Sequence, residues 1–169
     1  MINNRILVGG CGFFMVFTYF CYPLKLKYML YEFIQKFHSG WAYIVLALLV
    51  FTAINAVMGL SSGRDFSARD RKIGLFTLIA SHVQLLVGLV LYFISPFGKA
   101  LLGDMSNAEA RLTSLEHPLT NIIAIVLITV GWSTHKKATE SGVKFKKFAI
   151  FYTLGLVLIL SRIPWKLWL

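Results

Sequence analysis

Three of the four histidines, His38, His82 and His117, fall in or at the end of long apolar runs, each in a different run. An ionisable side chain is costly in hydrocarbon, so one found there usually faces a protein interior and often marks function. Imidazole is also a versatile metal ligand. Haem b in a helical bundle takes two neutral imidazoles from different helices at nearly equal depth, and an arginine suits its propionates. Counted at about 1.5 Å per residue from the inner boundary, Arg162 stands roughly 22 Å up, His117 roughly 27 Å and His38 roughly 34 Å. His82 stands at only about 15 Å, near mid-membrane. The depths of His38 and His117 differ by about 7 Å, those of His82 and His117 by about 12 Å. Spacing therefore favours His38 with His117 as ligands of a haem iron, with Arg162 at the propionates and Glu116 and Arg111 at the rim.

Other chemistries compete for the same residues. Each histidine could be satisfied by a backbone or glutamine partner, because an unpaired buried polar group costs several kcal/mol. His38, Glu116 and His117 are typical ligands for a metal ion, although nothing in their spacing singles one out. His82 with Gln84 could serve a small transporter or proton channel. That reading is disfavoured, since the chain has no inverted repeat or broken helix and no acidic residue deep in an apolar run. His135 stands beside Lys136 and Lys137 and reads as a solvated loop residue. Soluble-enzyme chemistry has no visible machinery: no Walker sequence, GxSxG or HExxH occurs. Nor does CxxC or CxxCH, which argues against covalent haem and thiolate metal sites. Cys11 and Cys21, about 15 Å apart on a helix, are too distant for a disulfide.

The elements that must position these residues are transmembrane helices. Of the 169 residues, 57% are hydrophobic and 14% charged, and the mean hydropathy is +0.72. A soluble domain needs far more charge to cover its surface. Apolar spans cover residues 41–60, 73–95, from Pro118 to about Trp132, and from near Phe148 to about Pro164. Residues 96–117 read as a longer polar connection, and Trp165 and Trp168 as interfacial anchors. Each span carries one face of small or polar residues at helical spacing. The first face is His38, Ala42, Val45, Leu49, Thr52, Ala56 and Gly59. The second is Gly74, Thr77, Ser81, Gln84 and Gly88, with His82 about a hundred degrees off it. The third is His117, Thr120, Asn121, Ala124, Ile128 and Gly131; the fourth is Tyr152, Gly155, Ile159 and Arg162. Small residues let helices approach closely.

The net charge of +10 is crowded into short loops beside apolar runs, the pattern of cytoplasmic loops and not of a nucleic-acid interface. Residues 61–72 and 133–147 hold most of these bases and are expected on the cytoplasmic side, with His38, His117 and the C-terminus on the outer side. Residues 6–24 are also apolar enough to span. They read as an extra helix, a signal-peptide-like segment or an upstream extension of the gene. A signal peptide is disfavoured, because only Arg5 precedes the apolar stretch and no small-x-small cleavage site follows it. The expected organisation is an N-terminal apolar segment, 1–28, and an all-α, up-down four-helix membrane bundle, 29–169.

At FHSGWAYIVLAL, SHVQLLVGLVLYFISP, LEHPLTNIIAIVLITVGW and FYTLGLVLILSRIPW, the chain resembles a family of short bacterial membrane proteins commonly labelled "cytochrome B". The resemblance covers about residues 29 to 168, and members usually begin near the position of Met29. It implies a b-type haem in a four-helix bundle, with His38 of HSGW, His82 of SHVQ and His117 of EHP as the histidines of the motifs. More distantly, SHVQLLVG and a histidine opening a helix are similar to one half of haem A synthase-type bundles. The expected function is electron transfer in a bacterial inner membrane through one haem b near the outer face, exchanging with a quinol or a respiratory-complex subunit. The alternative is an accessory or assembly subunit of a larger membrane complex, without haem, whose histidines are structural.

Overall fold

The computed structural model describes residues 15–168, with side chains from Leu26 to Trp168. All regular structure in this range is helical. Helix α1 runs Met15–Ser61, α2 Ala68–Ile94, α3 Ala108–His135 and α4 Ser141–Ser161. A single turn, α5, spans Trp165–Trp168. Three of these helices, α1, α2 and α3, are long and apolar enough to cross a membrane. Helix α4 carries Lys144, Lys146 and Lys147 in its first two turns, and its apolar stretch begins at Phe148.

Helix ends follow from local chemistry. Gly63 adopts φ 64° just beyond α1, a left-handed conformation that only glycine takes cheaply. Ser67 and Asp70 form a reciprocal capping box at the start of α2. The Asp70 carboxylate also accepts from Arg64 at 2.7 and 2.8 Å and from Asn55 at 2.8 Å, tying the first loop to both helices it joins. Pro96 follows α2, and the Asn107 side chain caps α3 by accepting from Glu109 and Ala110 N–H. Inside α3, residues Leu112–Glu116 form a π-helical turn, with the His117 N–H bonded to the Leu112 carbonyl. Pro118 has no N–H to give the Ser114 carbonyl four residues back, so the regular ladder is already broken there.

Helix α1 packs on α2 and α4, and α3 packs on α4 and α2. The inward faces are the small-residue stripes of the sequence: Val45, Leu49, Thr52 and Ala56 are buried, as are Thr77, Ser81, Ala124, Ile128, Tyr152 and Ile159. Glycine permits the closest approaches. A Cβ at residue 74 would overlap the Phe148 ring, and one at residue 155 would stand 2.7 Å from Ile128 Cγ1. Three buried polar contacts run across the interior. The hydroxyls of Thr52 and Thr77 meet at 2.7 Å, Tyr152 donates to the Gly74 carbonyl at 2.9 Å, and Trp41 Nε1 donates to the Ala80 carbonyl at 3.1 Å. The outward faces are apolar instead, with Phe51, Phe76, Leu86, Val126 and Val157 among the exposed side chains.

Two connections are more helical than expected. Helix α3 begins at Ala108, inside the expected connection 96–117, and α4 begins at Ser141, inside the loop 133–147. Apolar runs mark where a helix can meet lipid, whereas capped polar turns extend the helix beyond it. Helix α1 passes unbroken through the expected boundary at residues 28 and 29. The expectation for residues 6–24 lies outside the described residues as far as residue 14, and that for the pair Cys11 and Cys21 rests on side chains outside them.

Candidate functional site: a histidine cavity between the helix ends

The C-terminal end of α2, the N-terminal end of α3's apolar stretch and the C-terminal end of α4 surround the middle of α1. Between them lies a mainly apolar cavity of about 210 Å³ whose walls include His38, Gln84, Gly88, His117 and Asn121. The rings of His38 and His117 are 6.4 Å apart, centre to centre, with their planes at 80°. Counting by rise alone separates these residues by about 7 Å in depth; in three dimensions the two side chains meet.

His117 is held by its surroundings. Its Nδ1 lies 2.8 Å from the Arg162 carbonyl, a pure acceptor, so this nitrogen carries the proton and Nε2 keeps its lone pair. Asn121 donates to the His117 carbonyl at 2.6 Å. A ring N–H given to a backbone carbonyl is the usual support of a metal-bound histidine. His38 is held less completely. Gln84 donates to the His38 carbonyl at 2.9 Å, while His38 Nδ1 and Gln84 Oε1 are buried with no hydrogen-bond partner. Gly88 stands against the same ring; a Cβ there would lie 3.0 Å from His38 Cε1.

The remaining candidates go elsewhere. His82 points away from the cavity, with its Nδ1 2.8 Å from the Leu78 carbonyl one turn back in α2. This satisfies one ring nitrogen locally, and the structure does not bring His82 to the other two histidines. The Arg162 side chain is half exposed and its guanidinium lies 3.4 Å from Glu116, which also accepts from Arg111 at 2.9 Å. Arg162 therefore meets the site through its carbonyl, and its guanidinium is turned to Glu116 outside the cavity. With Glu116 held between two arginines, the trio His38, Glu116 and His117 does not assemble as a metal site. Among the described residues no group of three His, Cys, Asp or Glu side chains is placed to hold a metal ion.

The expected solvated loop position of His135 is corrected. Its side chain is only 2% exposed, and the ring packs against Trp132, Phe148 and Phe66 at 4.6, 4.7 and 5.7 Å between centres. Helix α3 continues through residue 135, so the ring turns inward under Phe66 where a loop residue would have faced water.

The residues here fit a haem iron in one respect and fall short in another. His38 and His117 bring two imidazoles from different helices together at 6.4 Å between ring centres, which is the pairing a bis-imidazole haem would need. An imidazole pair with no carboxylate suits haem iron better than a hard cation. Among the described residues no arginine lines the cavity to meet propionates. Tyr31, Tyr92, Ser95 and Thr113 are among the other polar residues of its lining.

Gln84 and Gly88 belong to this site, although their spacing alone reads as close helix packing. Their signal is that both stand one turn apart on the α2 face that meets His38. The chain matches no family model, no curated protein and no solved structure.

Proposed function

We propose that the chain is a membrane-spanning four-helix bundle that binds one b-type haem between His38 and His117 near its outer face and carries electrons. The observation that carries this reading is a pair of imidazoles 6.4 Å apart, centre to centre, in a mainly apolar cavity, one with its proton fixed on the Arg162 carbonyl and the other with a buried, unpartnered nitrogen. Bound there, haem supplies one-electron chemistry. The protein's own part is to exclude water and hold both imidazoles neutral. Through the Arg162 carbonyl it also keeps the His117 proton on Nδ1, leaving Nε2 as the ligand atom. The resemblance to the cytochrome B family and the outward apolar faces of the helices also support this reading. The charge pattern supports a bacterial inner-membrane location with residues 61–72 and 133–147 in the cytoplasm. A quinol or a respiratory-complex subunit is then the partner on the electron path.

Haem content of purified variants tests the assignment. His38→Ala and His117→Ala should each lose bound haem while keeping helical content, and His82→Ala should keep it. Equal loss in all three, or loss only in His82→Ala, would show that the pair is misassigned.

A further inference from the structure

The inner end of the molecule holds a second recess of opposite character. It lies where the loop after α1 meets the end of α3 and the first turns of α4, encloses about 370 Å³, and is bordered by Arg71, Lys136 and Lys144 with His135, Phe66 and Ser67. Three cations thus surround one hollow, and none of them makes an ion pair among the described residues. Of the two neighbouring carboxylates, Asp70 is engaged by Arg64, Asn55 and Ser67, and Asp65 accepts from the neutral Ser141 hydroxyl at 3.3 Å. Two of the ammonium groups lie over aromatic rings. Lys136 Nζ sits 5.1 Å from the centre of Trp132, and Lys144 Nζ 5.9 Å from that of Phe66. Beside them is the buried His135, whose Nδ1 is bonded to the Trp132 carbonyl.

We propose that this recess binds the phosphate of an anionic phospholipid head group from the inner leaflet. An abundance of lysine and arginine in these loops is explained by topology alone. Topology does not explain three cations without ion pairs drawn around one hollow, two of them lying over aromatic rings. Basic pockets between transmembrane helices on the cytoplasmic side take lipid phosphates, and each Lys or Arg contributes substantially to the attraction. Helices α2 and α3, which border the recess, also expose Phe76, Ile79 and Val130, apolar side chains suited to acyl chains. The proposal rests on the reading that the helices span the membrane and is independent of haem. Resistance of the chain to alkaline extraction from membranes checks the spanning reading separately.

The test titrates the purified full-length protein in neutral detergent with phosphatidylglycerol, phosphatidylcholine and inorganic phosphate, following the unfolding midpoint and retained lipid by native mass spectrometry. Phosphatidylglycerol should raise the midpoint and leave one bound lipid, and phosphatidylcholine should not. The double variant Lys136→Gln with Lys144→Gln should weaken phosphatidylglycerol binding on the order of tenfold. Arg71→Gln, on a different helix, should weaken it severalfold. Removing the same charge from exposed positions outside the recess, with Lys137→Gln and Lys146→Gln, should leave binding unchanged. Equal losses in the two double variants would reduce the effect to diffuse surface charge and overturn the proposal. So would equal binding of the two lipids, or displacement of phosphatidylglycerol by inorganic phosphate at matching concentration, which would make this a free-phosphate site.

Discussion

His38 and His117 differ in how firmly they are held, and the difference has consequences. The His117 ring has its proton directed to a main-chain carbonyl, so Arg162→Ala keeps the carbonyl and should keep haem, whereas loss of a propionate-binding guanidinium would release it. Haem content of that variant separates the two roles of Arg162. The His38 ring instead leans on Gly88, where a side chain would press on it at 3.0 Å. Gly88→Leu should therefore lose haem with little change in helical content, and retention of haem would mean that the ring is free to move aside. The sequence-derived candidates divide in the structure for one physical reason. Residue type and depth along a helix can be counted, but the direction of a side chain depends on rotation about the helix axis and on the rotamer. His82 lies off the small-residue face, as its register predicts, and its ring bonds its own helix. His135 departs from its expected loop position because α3 carries it past the end of the apolar run and under Phe66.

At the scale of elements, the four stripes of small and polar residues are legible in the sequence, since helical periodicity fixes which residues share a face. Their pairing is not. The Thr52–Thr77 and Tyr152–Gly74 contacts depend on which stripe meets which, and the sequence alone leaves that open. Gly74 shows the stringency of these contacts, because a Cβ there overlaps Phe148. Gly74→Ala should lower stability by about 1–3 kcal/mol, measured as a fall in the unfolding midpoint in detergent. The first loop is equally specific. Asp70 is 3% exposed and accepts from Arg64, Asn55 and Ser67. Asp70→Ala would leave the Arg64 and Asn55 donors without their acceptor and remove the α2 capping box. A loss of about 1–2 kcal/mol, chiefly from the lost cap, is expected, and an unchanged midpoint would show that the cluster contributes nothing to holding the loop. The π-helical turn before His117 has a visible cue in Pro118, but its register cannot be counted from sequence.

Across the whole molecule, charge and apolarity divide along the same axis. The apolar histidine cavity lies at one end of the helices and the basic recess at the other, with apolar outward faces between them. On the spanning reading, single cysteines introduced at Ser62 and Thr139 in a cysteine-free background should react with impermeant reagents only from the cytoplasmic side. One at Gly103 should react only from outside, and the reverse pattern would invert the orientation. The central claim, haem between His38 and His117, is tested most directly by the absorption spectrum of protein purified from its native membrane, oxidised and then reduced with dithionite, with haem measured against protein. A sharp reduced α-band at one haem per chain is expected. A featureless spectrum from folded protein, expressed with ample haem supply, would contradict it.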